Sequence, residues 1–399
     1  MNGSRNWKRN TFLMAFGLAG TSASYTMLIP FLPLYLMELG TPQEDVMFWS
    51  GGVFSITFFI AAVMAPIWGR FADKYGKKRM AVRAAVGLMV AYFIGGLVMS
   101  PVQLLGMRVL QGFANGFMPA VLAITSSIAP KKQMGYALGI VQTGQIIGSV
   151  MGPLIGGFIS DLVGMRMSFF VASAFLLLVL MLVVFFVDDP DKGQPKAAES
   201  SSASIADDFR YAASNQVVLL MLGLGLMVCL TNMVLQPVIS LYVAQLQHSM
   251  DSVALHSGII FSLGGIAGIL STAAWGTYGQ RKGYFRAMSL AFMGAGACIF
   301  LQHFPATLLG FAVLQFLFGL FFVGANPAIS ATLVGETSAD FRGRVFGIAT
   351  TANQTGSMLG PLVGSCISTF FGIQAVFLVM GPLLLLIGAL LWQRYVRLS

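Results

Sequence analysis

Charged side chains are scarce in this sequence. Asp, Glu, Lys and Arg make up 9% of the 399 residues, whereas hydrophobic residues make up 57%, and the mean hydropathy is +0.81. A single water-soluble core of this size could not bury so much apolar surface. The scarcity of charge therefore argues against a soluble globular protein and predicts an integral membrane protein.

Cysteine and histidine are rare, with three of each. Cys229, Cys298 and Cys366 lie far apart within apolar segments, which indicates neither a disulfide framework nor a metal site. We expect them to act as small apolar side chains. The histidines show no ligand spacing, and the absence of a GxxxxGK[ST] phosphate loop disfavours an ATP-driven pump. The sequence therefore predicts no cofactor and no metal.

The basic residues outnumber the acidic ones, 23 to 14, but they do not indicate a nucleic-acid partner. Nucleic-acid binding would need a basic face on a folded domain, whereas here the basic residues lie in alternate short gaps between apolar runs. The gap after the second run is the richest, with Arg70, Lys74, Lys77, Lys78, Arg79 and Arg83. This pattern predicts a multi-pass protein of the cell membrane with both termini in the cytoplasm.

Twelve apolar runs are long enough to cross a bilayer, since a spanning helix needs about 20 residues. We predict transmembrane helices near 11–37, 46–68, 80–99, 102–128, 134–160, 166–187, 214–243, 253–275, 286–303, 305–333, 343–370 and 373–393. The predicted fold is therefore an all-α integral membrane fold. The polar segment 188–213 is interpreted as a cytoplasmic linker between two six-helix bundles, 1–187 and 214–399.

The two halves repeat each other at a nearly constant spacing. The first landmark is Pro30 and Tyr35, which match Pro237 and Tyr242. The second is WGRFADKYG at 68–76, which matches WGTYGQRKG at 275–283. The third is the pattern G-x8-G-x3-GP-x2-G, which starts at Gly139 and again at Gly347. The first two pairs are 207 residues apart and the third is 208 apart. Three landmarks in the same order predict an internal duplication and two pseudo-symmetric bundles.

Twelve helices in two repeats, with GRFADKYGKKRM between the second and third, resemble the major facilitator superfamily over essentially the whole chain. The motif G-x-x-x-D-x-x-G-[RK]-[RK] is matched at Gly69, Asp73, Gly76, Lys77 and Lys78. Gly69 permits close helix packing, Gly76 a tight turn, and Asp73 can accept charge-assisted hydrogen bonds. The resemblance implies that Asp73 helps to latch the outward-open state. A purely topogenic basic loop is the alternative, and Gln280 replaces the aspartate in the second copy.

Arg108 is a charge deep within an apolar run, beside Gln111, Gly112 and Asn115. An intramembrane charge is costly and usually marks a pathway or relay. The resemblance associates this arginine with proton coupling, and the alternative is an arginine that snorkels to the outer interface. All acidic residues fall at helix ends or in loops, so Glu38 and Asp161 are the nearest candidates for a proton relay.

The fifth span carries a glycine at every fourth position. Gly144, Gly148, Gly152 and Gly156 share one helix face, which permits very close packing, and Pro153 bends the helix there. The full glycine–proline pattern is similar to the signature of drug:proton antiporters. Together with the I-P-F-L-P-L-Y run at 29–35, it resembles the multidrug efflux subgroup, which implies export of a lipophilic small molecule, with cationic compounds as one option.

The same resemblance implies a central cavity lined mainly by spans one, four, seven and ten. The aromatic and amide residues expected there are Tyr25, Phe31, Tyr35, Asn115, Gln142, Gln145, Asn232, Gln236, Asn326, Asn353 and Gln354. Neutral groups of this kind suit amphipathic aromatic compounds rather than polyanions.

The resemblance further implies a transporter rather than an enzyme, acting as a monomer with protons and membrane lipids as partners. Two other classes of function remain open. One is a facilitator or symporter for a sugar, a metabolite or a lipid-linked glycan. The other is a membrane enzyme or sensor, which would need a catalytic constellation or a soluble domain that the sequence does not show.

Overall fold

The computed structural model describes residues 7–187, 210, 214–248, 252–338 and 341–398, and these are built of α-helices without a β-strand. The helices of the first half are α1 Trp7–Thr26, α2 Leu32–Glu38, α3 Val46–Tyr75, α4 Lys77–Leu97, α5 Pro101–Ala114, α6 Phe117–Ile128, α7 Met134–Val163 and α8 Met165–Phe186. Those of the second half are α9 Gln216–Gln247, α10 Val253–Lys282, α11 Tyr284–Leu301, α12 Leu308–Phe322, α13 Ala325–Gly335, α14 Arg342–Phe371 and α15 Ala375–Leu398. The predicted linker 188–213 lies outside the described residues, apart from Arg210.

Ten segments of these described helices are long and apolar enough to cross a membrane. Two of the twelve predicted spans are not among them, namely 11–37, which corresponds to α1 and α2, and 343–370, which corresponds to α14. Helix α1 ends at Thr26, so the apolar residues that follow do not extend it, and α14 carries the polar run TTANQT at 350–355. The count of twelve crossings therefore stays a prediction.

The chain divides into two compact units. The first consists of Met1–Thr41 and Ile56–Ser200, and the second of Pro42–Ser55 and Ser201–Ser399. The beginning of α3 is thus grouped with the second unit, whereas the predicted bundles kept 1–187 together.

Side-chain contacts repeat within the two units at the spacing of the sequence repeat. Trp68 donates its Nε1–H to the Phe113 carbonyl at 2.9 Å, and Trp275 donates to the Leu320 carbonyl at 2.7 Å. The two donors are 207 positions apart in the chain, and so are the two acceptors. Because both partners of the hydrogen bond recur, the repeat extends from sequence to tertiary structure.

The buried tyrosines repeat in the same way. Tyr35 donates its hydroxyl to the Gly95 carbonyl at 3.1 Å, and its ring packs 5.1 Å from Phe169. Tyr242 donates to the Pro305 carbonyl at 3.4 Å, and its ring packs 5.1 Å from Phe377. Each tyrosine therefore joins three segments of its own unit.

This pairing yields a stability prediction. We expect Tyr35→Phe to destabilise the protein by about 1 kcal/mol, the usual net value of one hydrogen bond. That corresponds to a melting temperature lower by about 2–4 °C. Tyr242→Phe should cost less because its hydrogen bond is longer. Thermal unfolding of the detergent-purified variants measures both values, and a larger loss for Tyr242→Phe would contradict the prediction.

The glycine-rich faces of α7 and α14 pack directly on backbone. A Cβ atom at Gly144 or Gly148 would collide with the carbonyls of Ala15 or Ala19 on α1. In the second unit, a Cβ atom at Gly360 would lie 2.6 Å from the Leu230 carbonyl oxygen on α9. The two helix pairs therefore approach to a distance that only glycine allows.

Span one is interrupted, whereas its counterpart is not. The chain leaves the helix after Thr26 and re-enters it at Leu32, but α9 continues through Pro237. The physical difference lies in the prolines, because Pro30 and Pro33 remove two backbone donors within four residues, whereas the second half has only Pro237.

Candidate functional site

Span four is discontinuous, which the sequence analysis did not predict. Helix α5 ends at Ala114, Asn115 adopts an extended conformation with ψ 159°, and Gly116 has φ +124° before α6 begins at Phe117. The Asn115 side-chain oxygen accepts a hydrogen bond from the Gly116 amide at 2.7 Å. Only glycine adopts such a backbone conformation without strain. We call this interruption the helix break.

Arg108 lies on α5, two turns before the helix break, and its side chain is 1% exposed. Its Nη1 donates to the Gln111 side-chain oxygen at 2.8 Å, and Gln111 Nε2 in turn donates to the Tyr92 hydroxyl of α4 at 2.9 Å. Thr57 of α3 donates to the Arg108 carbonyl at 3.2 Å. The guanidinium is therefore held inside the helix bundle and does not snorkel to an interface.

Two tyrosine side chains lie near the Arg108 guanidinium. The phenol groups of Tyr92 and Tyr25 both lie within electrostatic range of the Arg108 guanidinium. Tyr25, on α1, is half-buried and packs edge-on against Phe58 with ring centroids 6.1 Å apart. A buried arginine can respond strongly to any charge that approaches it, since the surrounding dielectric constant is low.

A second arginine binds the helix break itself. Arg83 of α4 donates Nη1 to the Phe113 carbonyl at 3.1 Å and Nη2 to the Asn115 carbonyl at 2.8 Å. Its guanidinium stacks 3.8 Å above the Trp68 ring. The sequence analysis counted Arg83 with the basic residues after the second apolar run, and the structure places it within α4, where it is half-buried.

The residues predicted for a substrate cavity differ in exposure. Asn115, Gln142, Asn232 and Asn326 are exposed, and Tyr25, Gln145, Asn353 and Gln354 are half-buried. Gln145 lies beside the helix break, since its Nε2 is 3.3 Å from the Met118 sulfur. These eight side chains are therefore accessible wholly or in part.

The remaining three predicted cavity residues are buried. Phe31 and Tyr35 pack on Phe169 of α8, with ring centroids 5.9 and 5.1 Å away. We therefore leave both out of the proposed substrate contacts. Gln236 on α9 is also buried, and its side-chain oxygen has no hydrogen-bond partner within the described part of the chain.

The two candidates for a proton relay lie at exposed positions. Glu38 forms an ion pair with Arg166, whose Nε is 3.8 Å from Oε1, and the two side chains are 45% and 41% exposed. An exposed pair of this kind contributes little energy. Asp161, near the end of α7, is exposed as well.

The basic motif between the second and third spans lies at the junction of α3 and α4. Gly76 makes the turn with φ +97°, and Gly69 is exposed with open space at its Cβ position. Lys78 Nζ donates to the carbonyls of Val184 and Val187 at 2.9 and 2.7 Å, which places a cation at the C-terminal end of α8. The Asp73 side chain lies outside what the structure describes, so its latch role stays a prediction.

The closely spaced glycines of α7 face α1 and the residue that follows it. A Cβ atom at Gly152 would meet Thr26 and the Ala23 backbone, and one at Gly156 would meet the Met27 backbone. Pro153 is buried within α7, next to Gly152.

In the described residues, no group of three His, Cys, Asp or Glu side chains could hold a metal ion.

Long apolar helices, one of them broken beside a buried cation, define the class of multi-pass membrane transporters. The family model described as Major Facilitator Superfamily matches residues 14–309 and 278–398. The chain belongs to the major facilitator superfamily, which confirms the resemblance found in the sequence.

Individual relatives agree with this membership. The chain is 32% identical over 389 residues to "Multidrug resistance protein MdtG" of Escherichia coli strain K12 / DH10B, covering 97% of this chain and 95% of the relative. The same values hold for the protein of that name from Escherichia coli O1:K1 / APEC.

Solved structures with low sequence identity share the fold. The nucleoside transporter NupG superposes with a TM-score of 0.77 at 15% identity, covering 99% of both chains. A bacterial homologue of the human lysosomal transporter Spinster, in an inward-facing and unoccupied conformation, has a TM-score of 0.77 at 15% identity and covers 97% of this chain and 96% of its own. At this identity the likeness shows the fold alone.

Proposed function

We propose that the protein exports lipophilic small molecules across the cell membrane by alternating access, in exchange for protons. The observation that carries this proposal is the 32% identity to the multidrug resistance protein MdtG over 97% of the chain. The glycine–proline faces of α7 and α14 support it, because both resemble the antiporter signature and both pack directly on a neighbouring backbone. In this proposal the protein has twelve crossings and cytoplasmic termini, and it works as a monomer in contact with membrane lipids.

The substrate contacts in this proposal are neutral. Asn115, Gln142, Asn232 and Asn326 are exposed amides, and Met118 and Phe113 are exposed apolar side chains beside the helix break. Amide groups provide donors and acceptors without fixed charge, and Met and Phe adapt to varied aromatic shapes. Such a site favours uncharged or delocalised cationic aromatic compounds over sugar phosphates and other polyanions.

Proton coupling in this proposal depends on Arg108. A guanidinium that is 1% exposed repels a proton or a cationic substrate and stabilises any carboxylate that comes close to it. Glu38 and Asp161 are exposed at helix ends, so each would take up protons from water on the outer side. Arg108 then couples the site to the proton gradient through the Gln111–Tyr92 hydrogen bonds rather than by carrying the proton itself.

Dye efflux tests the proposed function. Cells that express the protein should expel ethidium or a rhodamine dye faster than cells with an empty vector, and a protonophore should remove the difference. Unchanged dye retention across a broad panel of lipophilic dyes would contradict drug export. Uptake of nucleosides or sugars in the same cells would favour a facilitator instead, which the shared fold with NupG also accommodates.

A further inference from the structure

The helix break in span four leaves backbone carbonyls without their helical donors. In a continuous helix, the Phe113 carbonyl would accept from the Phe117 amide, whereas the Asn115 carbonyl would have no donor, because the residue four positions later is Pro119. The extended conformation of Asn115 and the positive φ of Gly116 interrupt the helix between Phe113 and Phe117 as well. An unpaired carbonyl inside a membrane span is costly, so these oxygens need other partners.

Arg83 and Trp68 supply these partners, and we call the two residues the break clamp. The Phe113 carbonyl accepts from both Trp68 Nε1 and Arg83 Nη1, and the Asn115 carbonyl accepts from Arg83 Nη2. The guanidinium stacks on the Trp68 ring, so its plane is fixed while its two donors reach two carbonyls. A lysine offers neither the fork nor the flat face.

The second unit shows what the arginine adds. There the span is interrupted at Val323 and Gly324, and Trp275 donates to the Leu320 carbonyl as Trp68 does to Phe113. The position matching Arg83, 207 residues later, is Leu290. Val323 and Gly324 keep nearly helical angles, with φ −64° and −62°. A tryptophan alone therefore accompanies a mild interruption, whereas the arginine accompanies the strongly bent one.

The clamp also determines which groups the helix break exposes. Asn115 is exposed and Phe113 is 44% exposed, and both are held through their carbonyls by Arg83. A Cβ atom at Gly116 would lie 3.0 Å from Arg83 Nη2, so the guanidinium occupies the space beside the glycine. The side chain nearest the bend is thus a cation, and it lies beside the exposed residues Asn115 and Phe113.

We propose that Arg83, through the clamp with Trp68, is a positioning residue for substrate. It holds the helix break open and so presents Asn115 and Phe113 to a lipophilic aromatic compound, while Arg108 on α5 stays in its buried network. The substrate part of this inference rests on the proposed function. The part that concerns the helix break does not, and it can be tested without substrate.

Hydrogen–deuterium exchange of the purified full-length protein tests the clamp. Arg83→Ala should increase exchange in the segment 109–120 by about ten-fold or more, because two charge-assisted hydrogen bonds are lost. Arg83→Lys should give a smaller increase, since one donor can remain. Trp275→Phe is the matched control, which should affect 316–325 and leave 109–120 unchanged.

Dye efflux of the same variants tests the substrate part. Arg83→Ala should raise the KM for an aromatic dye by a factor about ten times larger than the factor by which it lowers the maximal rate. In Arg83→Lys the KM should lie between the values of the wild type and of Arg83→Ala. Trp68→Phe, which keeps a ring for stacking but loses one donor, should give a smaller effect and serves if Arg83→Ala does not fold. Unchanged exchange in 109–120, exchange raised equally throughout the first unit, or an unchanged KM would overturn the proposal. A wild-type protein without dye efflux would contradict the proposed function alone. The hydrogen–deuterium exchange result would then decide whether the break clamp holds the helix break.

Discussion

Replacing Arg108 with alanine is expected to reduce strongly the part of dye efflux that a pH gradient drives. The substitution removes a cation that is 1% exposed and leaves the Gln111 side-chain oxygen without its donor. Loss of a hydrogen bond to a charged group weakens an interaction by about 1.5–3 kcal/mol. We therefore expect the initial rate in inverted vesicles to fall by about 10- to 100-fold at a fixed pH gradient.

The matched control is Gln315→Ala. Gln315 lies 207 residues after Arg108, is buried, and accepts a hydrogen bond from Gln302 at 2.8 Å, but it carries no charge. It should therefore keep most of the gradient-driven rate, whereas Arg108→Lys should keep part of it because the charge remains. If Arg108→Ala retained full gradient-driven efflux in vesicles, the coupling role of this arginine would be refuted.

The sequence predicted the repeat well because the residues that carry it are local landmarks. Trp68 and Trp275 stand at matching positions of matching motifs, and the structure gives both the same hydrogen bond. The glycines of α7 and α14 recur every fourth residue, which places them on one helix face, and that face is the one that packs on α1 and α9. In these cases the spacing along the chain determines the geometry.

The helix break had a local signal that the sequence analysis did not use. Pro119 cannot donate to the Asn115 carbonyl, and its ring crowds that carbonyl in a continuous helix, while Gly116 permits the unusual backbone conformation. The sequence could not show the pair of donors that Arg83 and Trp68 bring from α4 and α3. Residues 30 to 50 positions away in the chain satisfy the carbonyls that the local sequence leaves without donors.

The partners of Arg108 were predictable only in part. Gln111 is one helical turn away on the same helix, so its proximity follows from the spacing. Tyr92 and Thr57 lie on other helices, and their contacts depend on how α3, α4 and α5 pack. The same limit explains Phe31 and Tyr35, which lie on a span expected to line a cavity but pack against Phe169 instead.

The second large effect concerns the glycine face of α7. We expect Gly148→Ala to prevent stable folding or to lower the melting temperature by many degrees, because the new methyl group would collide with the Ala19 backbone on α1. Overpacking of a close contact typically costs about 1–3 kcal/mol. Here the cost should lie at or above the upper end, since backbone atoms of a packed helix cannot move aside as a flexible side chain can.

Two matched variants make this expectation sharp. Gly356→Ala, in the second unit, should be nearly as damaging, because its Cβ atom would meet the Leu226 carbonyl. Gly139→Ala, at the start of the same motif, should be harmless, since nothing lies within 4 Å of its Cβ position. Fluorescence-detected size-exclusion chromatography after heating measures all three. Equal stability of Gly148→Ala and Gly139→Ala would show that α1 and α7 do not pack as closely as the structure has them, and the motif would then need a role other than close packing.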